Sequence, residues 1–304
     1  MAQIATVAYS KELQKQLFPS NEFYKNSIAE TGIAADAETF EIPNLSDIED
    51  AIEGKPTVLP LQVKTADDKK VTGTMKTFYA NPLLITDPEE IVLNYSKRQN
   101  KQLQQAAAIN TKAADYALYQ WSPALSTRLV AATGAARTTS VTGLSGTRLA
   151  VQKVDILSVW KKFQSQNAMS VPGELYGLLT PDAAADLMGV LDVDFFKAGN
   201  SDMILKGIIG ILYGIKLMVR SKPALYDASD GRLKTVGTAA TDRPASLFWH
   251  SGMVCHAEAH AKTYVNADDA TYMGTIISSS VRFGAEKCRE DEAGVVALYE
   301  AKPA

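Results

Sequence analysis

The residue types that could bind a metal lie close together in one stretch, WHSGMVCHAEAH. It contains all three histidines of the chain, His250, His256 and His260, together with Cys255 and Glu258. Imidazole, thiolate and carboxylate groups are the usual zinc ligands, and a zinc-bound water beside a carboxylate supports hydrolysis or deamination. This stretch is therefore the candidate for a catalytic centre.

The spacing in this stretch matches only part of a metal signature. His256-Ala257-Glu258 matches the first half of the zinc deaminase signature, which also needs P-C-x-x-C downstream, whereas Cys288 stands alone in KCRED. The metalloprotease helix requires H-E-x-x-H, but Glu258 comes two residues after His256. In an extended strand, His256, Glu258 and His260 would project from one face as ordinary surface residues. A zinc-dependent hydrolase or deaminase is thus the weaker hypothesis, with His256, His260 and Cys255 as metal candidates.

Other catalytic signatures are incomplete as well. The glycines at 207, 210 and 214 do not have the G-x-G-x-x-G spacing of a dinucleotide site, and no G-x-x-x-x-G-K-[ST] sequence occurs. Ser145 in GLSGT does not have the G-x-S-x-G spacing of a nucleophile elbow. The sequence therefore predicts no catalytic residue, no cofactor and no enzymatic activity.

Composition limits the class of protein. The chain has 304 residues, of which 46% are hydrophobic, enough for one large domain or two of ordinary size. A net charge of −3 argues against a protein that coats nucleic acid through basic charge. Two cysteines indicate a reduced cytosolic protein more than a disulfide framework. The most apolar window, 204–219, contains two lysines and three glycines, so it predicts no membrane span.

A long helix is the strongest structural signal. Asp87 and Pro88 suit a helix start, and the chain then contains neither glycine nor proline until Pro123. The pattern predicts a helix over 87–121, roughly 50 Å long at 1.5 Å per residue. Its predicted apolar stripe consists of Leu93, Leu103, Ala107, Ala114, Leu118 and Trp121.

The remaining segments mix helices and strands. Alternating residues predict strands at 39–42, 59–63 and 71–78, which form a ribbon with too few large apolar residues to be stable alone. A strand is predicted over 175–179, and a helix to Met188 capped by Thr180 and Pro181. A helix is also predicted over 149–166 from apolar residues at three- and four-residue spacing, which are Val151, Val154, Leu157, Trp160 and Phe163. Two strands, 272–282 and 294–299, are predicted to form a terminal hairpin. Because no regular βαβ alternation occurs, the fold class is α+β.

Two stretches carry a resemblance to a known family. GIIGILYGIKLMVRS at 207–221 resembles a G-x-[IL]-G-x-x-x-G stretch that leads into an apolar strand ending at serine. The tail TIISSSVRFGAEKCREDEAGVVALYE is similar to a closing hairpin with an aromatic residue before Gly284 and a charged turn containing Arg289 and Asp291. Both stretches follow an N-terminal arm, the ribbon and the long helix. This order of parts resembles that of the major capsid proteins of tailed double-stranded DNA bacteriophages.

The resemblance implies a tailed-phage capsid fold with four parts. Residues 1–36 correspond to an N-terminal arm and 37–86 to an extended β-ribbon loop. Residues 87–168 with 265–304 correspond to a peripheral domain that contains the spine helix 87–121. Residues 169–264 correspond to an axial domain, which meets its symmetry mates at the centre of a hexamer or pentamer.

The implied function is structural. Copies of the chain would assemble into an icosahedral shell in the host bacterial cytoplasm and enclose double-stranded DNA without sequence-specific binding or a membrane. A separate scaffolding protein and a portal are the implied partners. Subunit contacts are expected from Leu45, Asp47, Lys55, Lys69 and Lys70 of the loop and from Gly207, Gly210 and Gly214 of the axial domain. An encapsulin-like nanocompartment shell is the alternative with the same fold.

Overall fold

The computed structural model describes residues 22–30, 38–44, 69–86, 97–190, 208–227, 233–234, 239–259 and 262–303. The α-helices in these ranges are α1 (Lys97–Trp121), α2 (Lys153–Ser165) and α3 (Pro181–Val190). Short 3₁₀ helices lie at Glu22–Lys25, Ser126–Arg128 and Ala168–Ser170. The strands are β1 (Ile28–Ala29), β2 (Thr39–Asn44), β3 (Lys69–Tyr79), β4 (Leu83–Thr86), β5 (Leu129–Ala131), β6 (Ala136–Thr138), β7 (Thr147–Leu149), β8 (Leu175–Leu179), β9 (Ile208–Leu212), β10 (Ile215–Val219), β11 (Ala224–Tyr226), β12 (Leu233–Lys234), β13 (Arg243–His250), β14 (Val254–Glu258), β15 (Lys262–Asp269), β16 (Gly274–Lys287) and β17 (Val295–Tyr299).

Helix α1 confirms the C-terminal end of the predicted spine. It runs without interruption for 25 residues and ends at Trp121, two residues before Pro123. Proline ends it because its ring fixes φ and it has no N–H to donate. The Ser122 hydroxyl donates to the carbonyl of Leu118 at 2.7 Å and so closes the last turn. The predicted start at Asp87 and the stripe residue Leu93 lie outside the described residues.

The packed face of α1 confirms the predicted stripe in the C-terminal part of the helix and corrects it at Leu103. Ala114, Leu118 and Trp121 are buried, and the helix contacts β16, so its alanine-rich part packs on one of the terminal strands. Leu103 is 62% exposed, which makes its predicted burial wrong. Two residues after Leu103, the helix contacts the first sheet through a polar side chain. Gln105 Nε2 donates to the carbonyls of Asn81 and Ile277.

Strand β16 organises the first sheet. The N-terminal half of this 14-residue strand lies between β15 and β4, and its C-terminal half lies between β14 and β3. Strand β1 adds to β14 in parallel, and β2 adds to β3. A single long strand thus joins two halves of one seven-stranded sheet.

Strand β3 carries a ribbon out of this sheet. Its residues 75–79 pair with β16, whereas residues 69–74 pair only with β2. The register places Asn44 opposite Lys69. The predicted strands at 39–42 and 71–78 are confirmed, and the one at 59–63 lies outside the described residues. The ribbon is therefore anchored at one end by the core and is two strands wide beyond it.

The second sheet has eight strands, and its strand β13 is buried on both faces. Strand β13 lies between β17 on one side and β11 and β8 on the other. Along β13, Leu247 and Trp249 join a core shared with α1, and Phe248 joins a core shared with α2 and α3. This arrangement explains why the strands read as nearly continuous apolar runs.

Helices α2 and α3 confirm the two predicted helices, but α2 buries a different face from the one expected. Thr180 Oγ1 accepts the N–H of Ala183 at 2.9 Å, as expected of the residue that caps α3. In α2 the buried residues include Ile156, Val159 and Phe163, while Val154 of the expected periodic set is exposed. The helix is rotated so that Asp155 in its first turn faces inward and caps its start.

The predicted terminal hairpin is wrong. Strand β16 belongs to the first sheet, and β17 pairs with β13 and β5 in the second. Between them, Glu292 and Gly294 have φ of 54° and 85°, so the backbone turns away instead of folding back. Four of the five residues of β17 are buried, and this strand gains more from a position between two neighbours than from the edge of a hairpin.

The sheets cut across the expected division at 264/265. Strand β14, placed by sequence in the axial segment, pairs with β16, and β17 pairs with strands of the axial segment. Both segments therefore contribute to both sheets. The division of the chain into peripheral and axial domains therefore stays a proposal.

A buried ion network ties the C-terminus to α3. Arg148 on β7 is 5% exposed and lies within 3.2 Å of carboxylate oxygens of Asp182, Asp186 and Glu300. Arg137, opposite Arg148 in the β6–β7 pair, also binds Asp186, at 2.7 Å. Thr180 Oγ1 donates to Glu300 at 2.5 Å. One buried guanidinium thus serves three carboxylates.

The three carboxylates do not share that charge equally. Burial opposes ionisation of Asp182, but hydrogen bonds from Ser140 and the charge of Arg148 hold its pKa below its ordinary value. For Glu300 burial wins: it raises the pKa to about 7, although the Thr180 hydrogen bond and Arg148 oppose the shift. Glu300 thus binds its proton more tightly when folded than when unfolded.

Glu300 therefore makes stability fall as pH rises. Its pKa increases from the ordinary 4.5 to about 7 on folding, so its contribution is complete below pH 4.5 and is lost as pH rises through 7. Between pH 4.5 and 8, the free energy of unfolding of Glu300→Gln should rise relative to that of the parent by up to about 3 kcal/mol. Urea unfolding at several pH values measures this difference. Glu258→Gln, a change of the same type at an exposed side chain, controls for the substitution itself. Parallel pH profiles for Glu300→Gln and the parent would contradict the expectation.

Candidate functional site

His250 is a buried core residue. It lies at the end of β13 and is 1% exposed, and its Nδ1 accepts the N–H of Gly252 at 3.2 Å. A Cβ at Gly173 would come within 2.5 Å of its Cε1, so the chain passes close over the ring. Burial lowers the pKa of His250, which keeps the imidazole neutral.

His256 is also buried, which corrects the prediction of a surface residue. Its Nδ1 lies 2.7 Å from the hydroxyl of Ser27, and the ring packs against Tyr24 and Phe283. The segment that precedes β1 covers this face of β14, and no pattern within the histidine stretch signals that contact. Burial lowers the pKa of His256, an effect that the nearby charge of Glu258 partly opposes.

The metal candidates do not converge. Cys255 and His256 are neighbours on a strand, so their side chains point to opposite faces. Cys255 joins a cluster with Phe40 and Met75, whereas His256 contacts Tyr24. Glu258 is exposed, and His260 lies outside the described residues. Within the described ranges, no group of three or more metal-binding side chains is present.

The N-terminal segment contributes aromatic residues that sequence reasoning missed. Phe23 packs edge-on against Trp121 and Trp249, and Trp249 Nε1 donates to the carbonyl of Asn26 at 2.9 Å. The guanidinium of Arg220 lies 5.5 Å from the Phe23 ring. The signal was the aromatic pair at 23–24 within a polar arm. Phe23 and Tyr24 of this arm thus belong to the core, whereas both residues of β1 are exposed.

The loop residues expected to make subunit contacts lie at or beyond the end of the ribbon. Leu45, Asp47 and Lys55 are outside the described residues. Lys69 pairs through its backbone with Asn44, and Lys70 forms an exposed ion pair of 2.5 Å with Glu41. The described ribbon therefore ends in a polar, solvent-facing pair of strands.

The glycine stretch forms a tight hairpin. Strands β9 and β10 pair in antiparallel fashion, and the turn residues Tyr213 and Gly214 have φ of 51° and 78°. Positive φ at both positions is the requirement of a type I′ turn and explains the glycine at 214. Gly210 pairs with Leu217 within the hairpin, and Gly207 lies outside the described residues. The tip exposes Ile211 and Tyr213 to solvent.

Two further apolar surfaces are exposed. The β15–β16 hairpin exposes Tyr264, Val265, Tyr272 and Met273, the last to 74%. A groove of about 470 Å³ lies between α1 and the β3–β4 connection, and its lining includes Phe78, Leu83 and Ile109. Exposed apolar residues grouped at separate places are typical of surfaces that other chains cover.

The fold is shared with capsid chains of known structure. A chain of the cyanophage P-SCSP1u capsid matches with a TM-score of 0.67 at 15% identity, covering 99% of this chain and 94% of that one. A Mycobacterium phage Che8 chain matches with a TM-score of 0.62 at 15% identity, covering 98% of each chain. A capsid chain of a native GTA particle matches with a TM-score of 0.66 at 12% identity, covering 98% of this chain and 96% of that one. No protein-family model and no curated protein matches the sequence.

These matches confirm the predicted fold class. The chain is an α+β protein with the fold of phage capsid proteins. The structural likeness extends over nearly the whole length of both chains in each comparison. None of the helices in the described ranges is long and apolar enough to cross a membrane.

Proposed function

We propose that the chain is the structural subunit of an icosahedral phage capsid, assembling as hexamers and pentamers around double-stranded DNA. The observation that carries this proposal is the full-length likeness to capsid chains. The anchored ribbon and the exposed hairpin tips support it, because they offer contacts that a monomer leaves unused. We assign the chain a structural role and no catalytic one.

The parts of the subunit take the roles expected from the sequence. Residues 1–36 form the N-terminal arm and 37–86 the extended loop, which contacts a neighbour through Leu45, Asp47, Lys55, Lys69 and Lys70. Residues 87–168 and 265–304 form the peripheral domain. Residues 169–264 form the axial domain, whose contacts include Gly207, Gly210 and Gly214. Its described hairpin tip at Tyr213 would face the symmetry axis of the capsomer.

The partners follow from this role. Copies of the chain are the main partner, and a separate scaffolding protein and a portal take part in assembly in the host bacterial cytoplasm. The mature location is the virion. A net charge of −3 suits a wall that encloses DNA without holding it, because strong phosphate contacts would hinder packing and release.

Electron microscopy of the purified protein tests the proposal. We expect rings, tubes or closed shells as protein concentration or salt is varied. Compact monomers under all of these conditions, alone and with a candidate scaffolding protein encoded beside it, would overturn the proposal.

Excision of the loop tests the ribbon separately. Since Asn44 and Lys69 are paired, residues 45–68 can be replaced by Asn-Gly, which closes a two-residue hairpin turn. We expect the subunit to keep its fold, seen as an unchanged circular dichroism spectrum, and to lose shell assembly. Shells as abundant as those of the parent would contradict the role of the loop.

A point variant provides the control for this excision. Glu41→Ala removes an exposed ion pair with Lys70, worth at most about 1 kcal/mol, and leaves both the loop and Lys70 in place. It should assemble nearly as well as the parent. Loss of assembly in both variants would show that the described strands, and not residues 45–68, make the contact.

A further inference from the structure

The two cysteines of the chain lie beside each other at the edge of the first sheet. Cys255 of β14 is opposite Glu286 of β16. Cys288 follows the last residue of β16, and its N–H donates to the carbonyl of Met253 at 2.9 Å. Pairing between these two segments thus continues beyond β16 and places Cys255 and Cys288 at diagonal positions.

Their side chains share one face. Residues 286 and 288 alternate with 287, so both project to the side on which Cys255 lies. The Cys255 thiol donates to the carbonyl of Glu286 at 3.4 Å, and Cys288 packs against the apolar cluster that contains Cys255. Both sulfurs pack in the cluster formed with Phe40 and Met75. Two thiols that share one face and one cluster on adjacent segments are placed for oxidation to a disulfide.

We propose that Cys255 and Cys288 form a reversible intrachain disulfide, with a low-molecular-weight disulfide such as glutathione disulfide as the oxidant. In the first step a Cys288 thiolate attacks the oxidant, forms a mixed disulfide and releases one thiol. In the second step the Cys255 thiol loses its proton and its sulfur attacks the Cys288 sulfur, releasing the second thiol. The protein loses two hydrogen atoms, and one oxidant molecule is reduced to two thiols.

The surroundings set the order of these steps. Cys288 is half-buried and reachable from solvent, whereas Cys255 is fully buried. The hydrogen bond to Cys288 and burial both raise the pKa of the Cys255 thiol, so it is a poor nucleophile toward an external oxidant. Cys288 therefore reacts first, and Cys255 resolves the mixed disulfide from within the fold.

The bridge would fasten the junction between the two sheets. It closes a loop from 255 to 288 that contains the β15–β16 hairpin, and it fixes the start of the turn that leads to β17. A bridge across a loop of this length restricts the unfolded chain. The melting temperature of the oxidised subunit should therefore exceed that of the reduced subunit by about 5 °C or more. Such a bridge strengthens the subunit when it passes from a reducing to an oxidising medium.

Thiol counting on the full chain tests this inference. The reduced protein is incubated with glutathione disulfide at pH 8, then denatured, titrated with a chromogenic thiol reagent and weighed intact. We expect both thiols to disappear, with a mass loss of two hydrogens, no attached glutathione and no covalent dimer. Reduction should restore both thiols and the lower melting temperature.

Two variants separate this result from its alternatives. Cys255→Ser should stop at a stable mixed disulfide on Cys288, and Cys288→Ser should leave Cys255 unreacted in the folded protein. The inference is overturned if the parent keeps both thiols, stops at the same mixed disulfide as Cys255→Ser, or forms dimers linked between chains. The test is independent of shell assembly.

Discussion

Replacing Arg148 with methionine should destabilise the subunit by about 3–5 kcal/mol, the usual cost of removing one partner from a buried ion network. The Arg148 side chain is 6% exposed, and those of Asp182, Asp186 and Glu300 are exposed by 8%, 3% and 0%. Methionine fills much of the volume but leaves these carboxylates without their shared cation. Urea unfolding at pH 8 measures the loss.

The pH dependence identifies the cause. Because the uncovered carboxylates can be neutralised by protons, the loss caused by Arg148→Met should be smaller at pH 5 than at pH 8. Adding Glu300→Gln should restore part of the stability at pH 8, since it removes one of the three negative charges. An equal loss at both pH values would point to packing and not to charge.

Arg137→Met is the matched control. Arg137 binds the same carboxylate, Asp186, but its side chain is 55% exposed. More than half of the Arg137 side chain is exposed, and Arg148 still pairs with Asp186 when Arg137 is removed, so this variant should lose far less stability than Arg148→Met. Similar losses for the two variants would contradict the assignment of Arg148 as the central cation.

Trp121→Ala should cost about 3–5 kcal/mol, the range measured for large aromatic side chains removed from cores. Trp121 is fully buried at the end of α1, packs against Phe23 and Trp249, and donates from Nε1 to the carbonyl of Cys255 at 3.1 Å. It therefore joins the long helix to both sheets and to the N-terminal segment. The free energy of unfolding measures the effect.

Leu103→Ala controls for the change of helix composition. Leu103 lies on the same helix but is 62% exposed, so its loss should stay within about 0.5 kcal/mol. Trp121→Phe keeps most of the apolar volume and removes only the indole hydrogen bond, which should cost about 1–2 kcal/mol. If Leu103→Ala cost as much as Trp121→Ala, α1 would pack through a different face from the one described.

Local patterns determined the helices and the ribbon strands. Helix α1 ends before Pro123 because proline has no N–H to donate to the preceding turn and its ring clashes with a carbonyl of that turn. Helix α3 starts after Thr180 because the hydroxyl satisfies an N–H of its first turn. Alternation in 39–42 and 71–78 predicted β2 and β3 because side chains of a strand alternate between its faces. Each of these signals involves residues only a few positions apart.

Sequence patterns did not determine the candidate sites. Their residue types suggested zinc at His256, yet that ring is held by Ser27, more than 200 positions earlier in the chain. The two cysteines looked unrelated in sequence, and the register of β14 on β16 brings them together. Residue types establish which chemistry is available, but the pairing of distant strands decides which groups meet.

The sequence by itself determined the α+β class, the long helix and the order of parts that resembles a phage capsid protein. Only the tertiary structure decided that β17 leaves β16 for the second sheet, that Phe23 enters the core, and that Arg148 joins three carboxylates. The physical reason is that helix and strand formation depends on neighbours along the chain. Burial of an aromatic ring or a charge depends on partners brought together by folding.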